Sequence, residues 1–508
     1  MNQPVDIIIF EGAWSFITQT TKQVVLHERT SGISFDGDRI SYASRFLGPS
    51  KISQRIRDGG YTCQVITFVH FLTKERVSDI IDKFVGPKTI IGISSTMANG
   101  RGCEIIAKFM REFIQPKIQP SNKTIIGGIT AHIWDKILQE KYHYKFDYAV
   151  ASYAENKIVS ILDKIKNHGI SKRQVPFWDI KTCQHRWHPS AVILPGESLP
   201  LECARGCIFE CKFCRFPMLG KKKGTYVRDV NLMRDEILYN YDNFGTTNYM
   251  LTDDTFNDTP EKVESWADMV ASLPFKIQYV TYLRADLIHR FPHTAKLLLD
   301  SGLLATHFGI ESLTQKAATL VGKAWCAKHA RDYIPELTKN IWGGKVNVFI
   351  SLIAGLPHET PDDWIRTGEW AIKNNLSAYY ATLGIEKYKT KYKGVWKEEE
   401  PENLSHFDRH AEDYGYRFVK HKGRVMWELN GLTEFDASRH VKPLNDYFDK
   451  HCLVTAWQTT ELLSLGVEQN KIMTSSRNKI YTDESIFQQR DVFIDRYFTS
   501  LMQSNHAS

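Results

Sequence analysis

Cys207, Cys211 and Cys214 stand as Cys-x3-Cys-x2-Cys within Leu201-Glu-Cys-Ala-Arg-Gly-Cys-Ile-Phe-Glu-Cys-Lys-Phe-Cys-Arg-Phe. Three thiols so close together lie on one loop, and the rest of the fold must hold that loop rigidly. Three thiolates can carry three irons of a four-iron cluster and leave the fourth iron without a protein ligand. An iron with an open position chelates a small molecule, so such a cluster does chemistry as well as carrying electrons. With Cys203 there are four cysteines in twelve positions, enough for a structural zinc knuckle. Zinc sites of that kind usually come as two pairs across a longer loop, and here everything falls in one run. Cys203 reads better as a buried neighbour at the end of a strand.

The chain of 508 residues is long enough for about two to four domains with ample core. It has no charge-free apolar run able to span a bilayer. Its start, Met1-Asn-Gln-Pro-Val-Asp, leads into a strand without a signal-peptide pattern. A soluble, cytoplasmic protein with no membrane partner is expected. Nine cysteines, three of them in a metal-type run, suit a reducing compartment better than a disulfide scaffold. The 65 basic against 58 acidic residues give a net charge of +7, too small an excess at this length to indicate nucleic acid.

The pattern along the chain is α/β, in three segments. Residues 1–190 alternate apolar strand-like runs (Val5–Phe10, Cys63–Phe68, Thr89–Ser94, Thr124–Gly127, Tyr148–Ala151) with helical stretches such as Lys74–Phe84 and Gly102–Ile114. This predicts a parallel, Rossmann-like domain whose ligand lies beyond the carboxyl ends of the strands. Those ends read Gly92-Ile-Ser-Ser-Thr and Gly127-Gly-Ile-Thr, small enough for a flat ligand to approach the backbone. Residues 191–390 run from the cysteine loop through Tyr249–Thr252, Ile277–Leu283, Ala305–Ile310, Val346–Leu352 and Ala378–Gly384. Thr259-Pro260 and Thr360-Pro361 start helices between them. Six strand–helix units predict a partial (β/α)6 barrel with its chemistry at the carboxyl ends. Residues 391–508 begin with the charged Lys397-Glu-Glu-Glu-Pro-Glu and continue with aromatics and helical stretches near Asp446–Leu463 and Ser485–Met502. A mainly helical, substrate-capping region is expected there.

The cysteine spacing, with Phe213 before the last cysteine, resembles the signature of the radical S-adenosylmethionine (SAM) superfamily. Residues 1–190 resemble the cobalamin-binding domain found ahead of many such barrels. The matching phrases are Arg29-Thr-Ser-Gly, Gly60-Tyr-Thr-Cys-Gln-Val, Ile91-Gly-Ile-Ser-Ser, Ile126-Gly-Gly, and Asp147-Tyr-Ala-Val with Glu155 following. The Asp-x-His-x-x-Gly motif of other cobalamin domains is missing after the first strand, where Glu11-Gly-Ala-Trp stands. Residues 1–190 also admit a Rossmann-like domain that has lost its cofactor or binds another.

The resemblance implies Cys207, Cys211 and Cys214 as ligands of a [4Fe-4S] cluster, with Phe213 beside the cofactor. It implies Asp253 or Asp254 for the SAM amino group, and Arg284 for the SAM carboxylate or the substrate. Glu311 would accept from the ribose with Ser312 beside it, and Lys323 matches a basic residue often found after this strand. Cobalamin would lie over Ser94, Ser95, Gly127, Gly128 and Thr130. Gly355-Leu-Pro-His-Glu-Thr resembles a structural turn of the family, and Cys326 reads as a buried structural thiol. The implied activity is a cobalamin-dependent methyltransferase working through a 5′-deoxyadenosyl radical and methylcobalamin. It would act on an unactivated carbon, or a phosphinate phosphorus, of a small-molecule or peptide substrate. An external one-electron donor such as flavodoxin or ferredoxin would reduce the cluster. The alternatives are a non-methylating radical SAM enzyme, such as a cyclase, and a metal-stabilised binding module without turnover.

Overall fold

Apolar runs on both sides of a strand demand cover on both faces, and two parallel sheets result. The computed structural model describes residues 3–14, 44–95, 100–129, 131–151, 153–166, 175–215, 220–323, 325–385, 404–421 and 424–504. The first sheet contains β1 (Ile7–Glu11), β2 (Cys63–Ile66), β3 (Ile90–Ser94), β4 (Thr124–Gly128) and β5 (Tyr148–Ala151). It is parallel in the order β2-β1-β3-β4-β5. Alternate residues go to opposite faces: Ile8, Phe10, Ile91, Ile93 and Ile126 join one buried cluster, and Ile7, Ile9, Val65, Ile90 and Ile125 join another.

The second sheet contains β6 (Leu199–Leu201), β7 (Asn248–Leu251), β8 (Gln278–Leu283), β9 (Leu303–Glu311), β10 (Asn347–Ala354) and β11 (Ser377–Thr382). All six are parallel and paired in chain order, the open barrel expected. Both expected helix starts are capped: Thr259 accepts from the Lys262 amide, and Thr360 forms a reciprocal capping box with Asp363. No helix among the described residues is long and apolar enough to cross a membrane.

The C-terminal region is mainly helical, as expected, and has three features that the sequence did not suggest. It contains a small antiparallel sheet, β12 (Arg417–His421), β13 (Arg424–Leu429) and β14 (Leu432–Thr433), beside its helices. The single helix read near Asp446–Leu463 is two, Glu434–His451 and Ala456–Ser464, because Thr455 caps the second with its own box. Its placement also differs from a simple cap over the barrel. Only the first part lies at the mouth: Trp427 Nε1 donates to Leu383 O at 2.6 Å and Tyr416 OH to Gly355 O at 2.7 Å. The helix Ala456–Ser464 instead enters the amino end of the barrel. Asn347 donates to Val454 O, the Ser198 amide donates to Ser464 Oγ at 2.9 Å, and Ala456 packs on Val280, Leu304 and Ala305. The last helix, Glu484–Gln503, lies on the first domain, with Phe493 and Tyr497 against Phe68. Apolar residues of this region therefore complete the first domain's core. The charged Lys397 segment lies outside the described residues.

Candidate active site at the cysteine loop and the domain junction

The cysteine loop follows β6 and is pinned by a buried carboxylate. Asp253, just past β7, accepts from the amides of Cys203 (2.8 Å) and Ala204 (3.0 Å) through Oδ1. Its Oδ2 meets Lys262 Nζ at 2.7 Å, and Lys262 also reaches Asp258 at 3.5 Å. Burial raises the Asp253 pKa while Lys262 and the two amides oppose the rise. This carboxylate is enclosed by the wall of the barrel and ties the loop down. Cys203 is buried in the barrel core.

Asp254 has a different environment. It is half-buried, forms no ion pair among the described residues, and receives the Gly206 backbone. Burial, then Asp253 and Glu202, push its carboxyl up to about 7. It is the carboxylate at this strand end that is still open to a cation.

Cys207 is buried, whereas Cys211 and Cys214 are half-buried, with Phe213 packed partly into the core. Burial raises the Cys207 thiol, and the Phe209 amide, which donates to its sulfur at 3.5 Å, opposes that rise; the thiol itself donates to Thr255 Oγ1 at 3.6 Å. A backbone donor aimed at sulfur favours the thiolate, the form that binds iron, so the loop suits an iron–sulfur cluster. Among the described residues no three His, Cys, Asp or Glu side chains group for a single metal ion.

The other site residues are placed as follows. Arg284, past β8, grips Asp286 with Nε and Nη2 (3.0 and 2.7 Å) and directs Nη1 to Cys211 Sγ at 3.7 Å. Glu311 ends β9 in a left-handed conformation (φ 64°), buried, with Lys323 Nζ at 3.6 Å. Lys323 also donates to Gly309 O at 2.8 Å. Ser312 is engaged within the loops at the strand ends: its hydroxyl donates to Glu359 at 2.5 Å and accepts from the Thr314 amide. Cys326 is exposed, contrary to the expectation of a buried thiol, because it stands at the start of a surface helix.

In the first domain, Ser94 and Ser95 end β3, and Gly127 and Gly128 end β4. Ser95 Oγ donates to Gly127 O at 2.9 Å, and Trp14 Nε1 donates to Ser94 O at 2.7 Å, so Trp14 covers the crevice between β1 and β3. A Cβ at Gly127 would meet nothing closer than Val150 O at 4.0 Å. That leaves open room over β4 and β5 for a flat ligand. Thr130 and Arg29-Thr-Ser-Gly lie outside the described residues.

The sequence reading missed the junction between the domains. Arg205, two residues before Cys207, meets Glu155 at 2.7 Å and Glu202 at 2.8 Å. Its guanidinium lies 4.4 Å from the Tyr153 ring centroid and 4.2 Å from that of Trp178. Lys51 pairs with Glu202 as well, and the cations beside that buried carboxylate hold it down at about 2. Tyr153 and Glu155 follow β5, so the carboxyl end of the first sheet faces the cysteine loop of the second. An Arg inside a cysteine loop was the available signal, but its partners are far away in sequence.

Residues 201–371 match the family model of the radical SAM superfamily. The chain carries a radical SAM domain. Domains of this kind work with a [4Fe-4S] cluster and SAM, and the chain is an enzyme. A curated relative, the bacteriochlorophyllide d C-8(2)-methyltransferase of Chlorobaculum tepidum, is 24% identical over 277 residues, or 50% of this chain and 56% of that protein. The chain thus spans only about half the length of that relative. Among solved structures, the radical SAM methyltransferase TsrM from Kitasatospora setae, with cobalamin and [4Fe-4S] cluster bound, aligns with a TM-score of 0.57 and 12% identity. That alignment covers 96% of this chain and 100% of TsrM. The cobalamin-dependent SAM radical enzyme OxsB aligns at 0.50 and 13% identity over 81% of this chain and 56% of OxsB. The likeness to TsrM extends over both sheets and the C-terminal region, and is one of fold.

Proposed function

We propose that this radical SAM enzyme is a cobalamin-dependent methyltransferase acting on an unactivated carbon, or a phosphinate phosphorus. One observation carries the reading: Arg205 and Glu155 join the carboxyl end of the Rossmann-like sheet to the loop holding Cys207, Cys211 and Cys214. Two ligands at those two ends would face one substrate between them. Bound there, a cluster with SAM supplies reductive C–S cleavage, and cobalamin supplies a transferable methyl group.

The protein's part is binding and alignment. Cys207, Cys211 and Cys214 would hold the cluster, and Asp254 would receive the SAM ammonium, since Asp253 is already enclosed by two amides and Lys262. Glu311, beside Lys323, would accept from the ribose. The open backbone at Gly127 would give cobalamin a face to lie on, while Trp14 covers the neighbouring crevice. The aromatics Tyr282, His307 and Phe349 line the barrel above Trp457 and help keep water out.

The methyl relatives support this reading over a cyclase or a binding module. The test is product analysis with anaerobically reconstituted protein, hydroxocobalamin and candidate substrates. Coupled methyl transfer uses SAM in two ways, so S-adenosylhomocysteine and 5′-deoxyadenosine should accumulate in about equal amounts. Deoxyadenosine alone, with substrate consumed, would leave a radical enzyme that does not methylate.

A further inference from the structure

Arg284 has two edges, and the structure uses both. Nε and Nη2 form a forked pair with Asp286, at 3.0 and 2.7 Å. The remaining Nη1 points at Cys211 Sγ, 3.7 Å away. Its Cζ also lies 3.9 Å from the ring centroid of Phe209, which stands between Cys207 and Cys211 in the loop. Asn257 brackets the backbone: its Oδ1 accepts from the Arg284 amide at 2.8 Å, and its Nδ2 donates to Arg284 O at 2.9 Å. The residue is 5% exposed. A guanidinium held on three sides, on a backbone that Asn257 fixes, has little freedom to swing toward a ligand entering the barrel.

We propose that Arg284 sets the reduction potential of the cluster by donating a charged hydrogen bond to the Cys211 sulfur, with Asp286 holding it there and offsetting part of its charge. This rests on the assignment of Cys207, Cys211 and Cys214 as cluster ligands. One-electron reduction places an extra negative charge on the cluster and its sulfurs. A buried cation bonded to one of those sulfurs stabilises the reduced form more than the oxidised form, because the interaction is poorly screened away from water. Asp254 and Asp258 place negative charge beside Cys207, and a cation at Cys211 acts against it. Asp286 tempers the effect, so the two residues should act in opposite directions.

The experiment is an anaerobic redox titration of the reconstituted full-length protein with dithionite, without SAM, followed by electron paramagnetic resonance. Iron and sulfide are counted for each variant. Arg284→Gln should keep four irons and shift the midpoint to more negative values, with Arg284→Lys shifting it less. Asp286→Asn should shift the midpoint the other way. An unchanged midpoint in Arg284→Gln, with the cluster intact, overturns the proposal. A change seen only after SAM is added also overturns it, and would return Arg284 to SAM binding. Should Arg284→Gln lose iron, the Lys and Asn variants still decide: shifts of the same sign, or none, sink the idea. Failure of the wild-type protein to assemble any cluster would sink the underlying assignment.

Discussion

Two adjacent aspartates with the same side chain have opposite fates. Removing Asp253 would leave Lys262 with only longer contacts, to Asp258 at 3.5 Å and Thr255 O at 3.4 Å, and two loop amides without an acceptor. Breaking a buried pair in this way costs about 3–5 kcal/mol. Asp253→Ala should therefore lower the thermal midpoint and the iron content together. Asp254→Asn should retain the cluster but suppress SAM-dependent deoxyadenosine formation by about tenfold or more, matching the loss of a charge-assisted contact of roughly 1.5–3 kcal/mol. Its pH signature has a definite sign. The Asp254 carboxyl titrates at about 7 in the fold and at about 3.9 when unfolded. Between these values the unfolded chain binds fewer protons than the native one, so stability falls as pH rises. Urea titrations of SAM-free protein from pH 4.5 to 7.5 should show this fall, and Asp254→Asn should flatten it. SAM affinity should change the other way, rising as the carboxylate forms. The sequence indicated an aspartate at this strand end. It could not say which one, because that depends on where Lys262, one helical turn into the next element, comes to lie. The Arg284 contact with Cys211 was hidden for the same reason: the fork to Asp286 is local, but the loop it braces is distant in the chain.

At the scale of elements, periodicity and capping residues carried nearly all that could be read. Strands with apolar faces and helices begun by Thr-Pro came out within a few residues of their expected bounds, since the determinants are local. The hairpin of β12 and β13 was not read, because its stability comes from docking. Trp427 packs on Gly355, whose φ of +99° and missing side chain make room for the ring. A Cβ there would sit 2.5 Å from two Trp427 carbons. Gly355→Ala combines that clash with a left-handed backbone, and should cost about 2 kcal/mol or more. Tryptophan fluorescence and the thermal midpoint should both change, while a similar substitution at Gly431 in the turn after β13, where a Cβ meets nothing, should cost only the backbone strain. The sheet end at Gly127 gives the complementary case. Gly127→Phe projects into open space and should leave stability within about 1 kcal/mol. It should nevertheless abolish retention of hydroxocobalamin through desalting. Full retention would move the cobalamin site away from β4.

Across the whole molecule, the chain's last helices make one unit of two domains. The helix Ala456–Ser464 closes the amino end of the barrel, and Glu484–Gln503 completes the core of the first sheet, with Tyr497 OH accepting from the Thr67 amide at 3.0 Å. These helices tie the two domains together, and Arg205 joins them again at the cysteine loop, where chemistry would occur. Neither feature was legible in the sequence: aromatics at mixed spacing do not reveal which surface they cover, and an arginine does not name its carboxylates. The junction has a consequence that can be measured. Arg205→Lys keeps the charge but cannot hold Glu155 and Glu202 at once with a planar fork. Hydrogen exchange should accelerate in residues 151–155 and 202–206 while the cluster and cobalamin remain at wild-type stoichiometry. With both ligands bound but less well aligned, radical formation should outrun methyl transfer. The ratio of 5′-deoxyadenosine to methylated product should rise several-fold above that of the wild type, because positioning errors near 1 Å are enough to cost about 100-fold in a step that depends on alignment. Equal loss of both products would assign Arg205 to stability alone. An unchanged ratio with faster exchange would mean that the junction does not set the distance between the two cofactors.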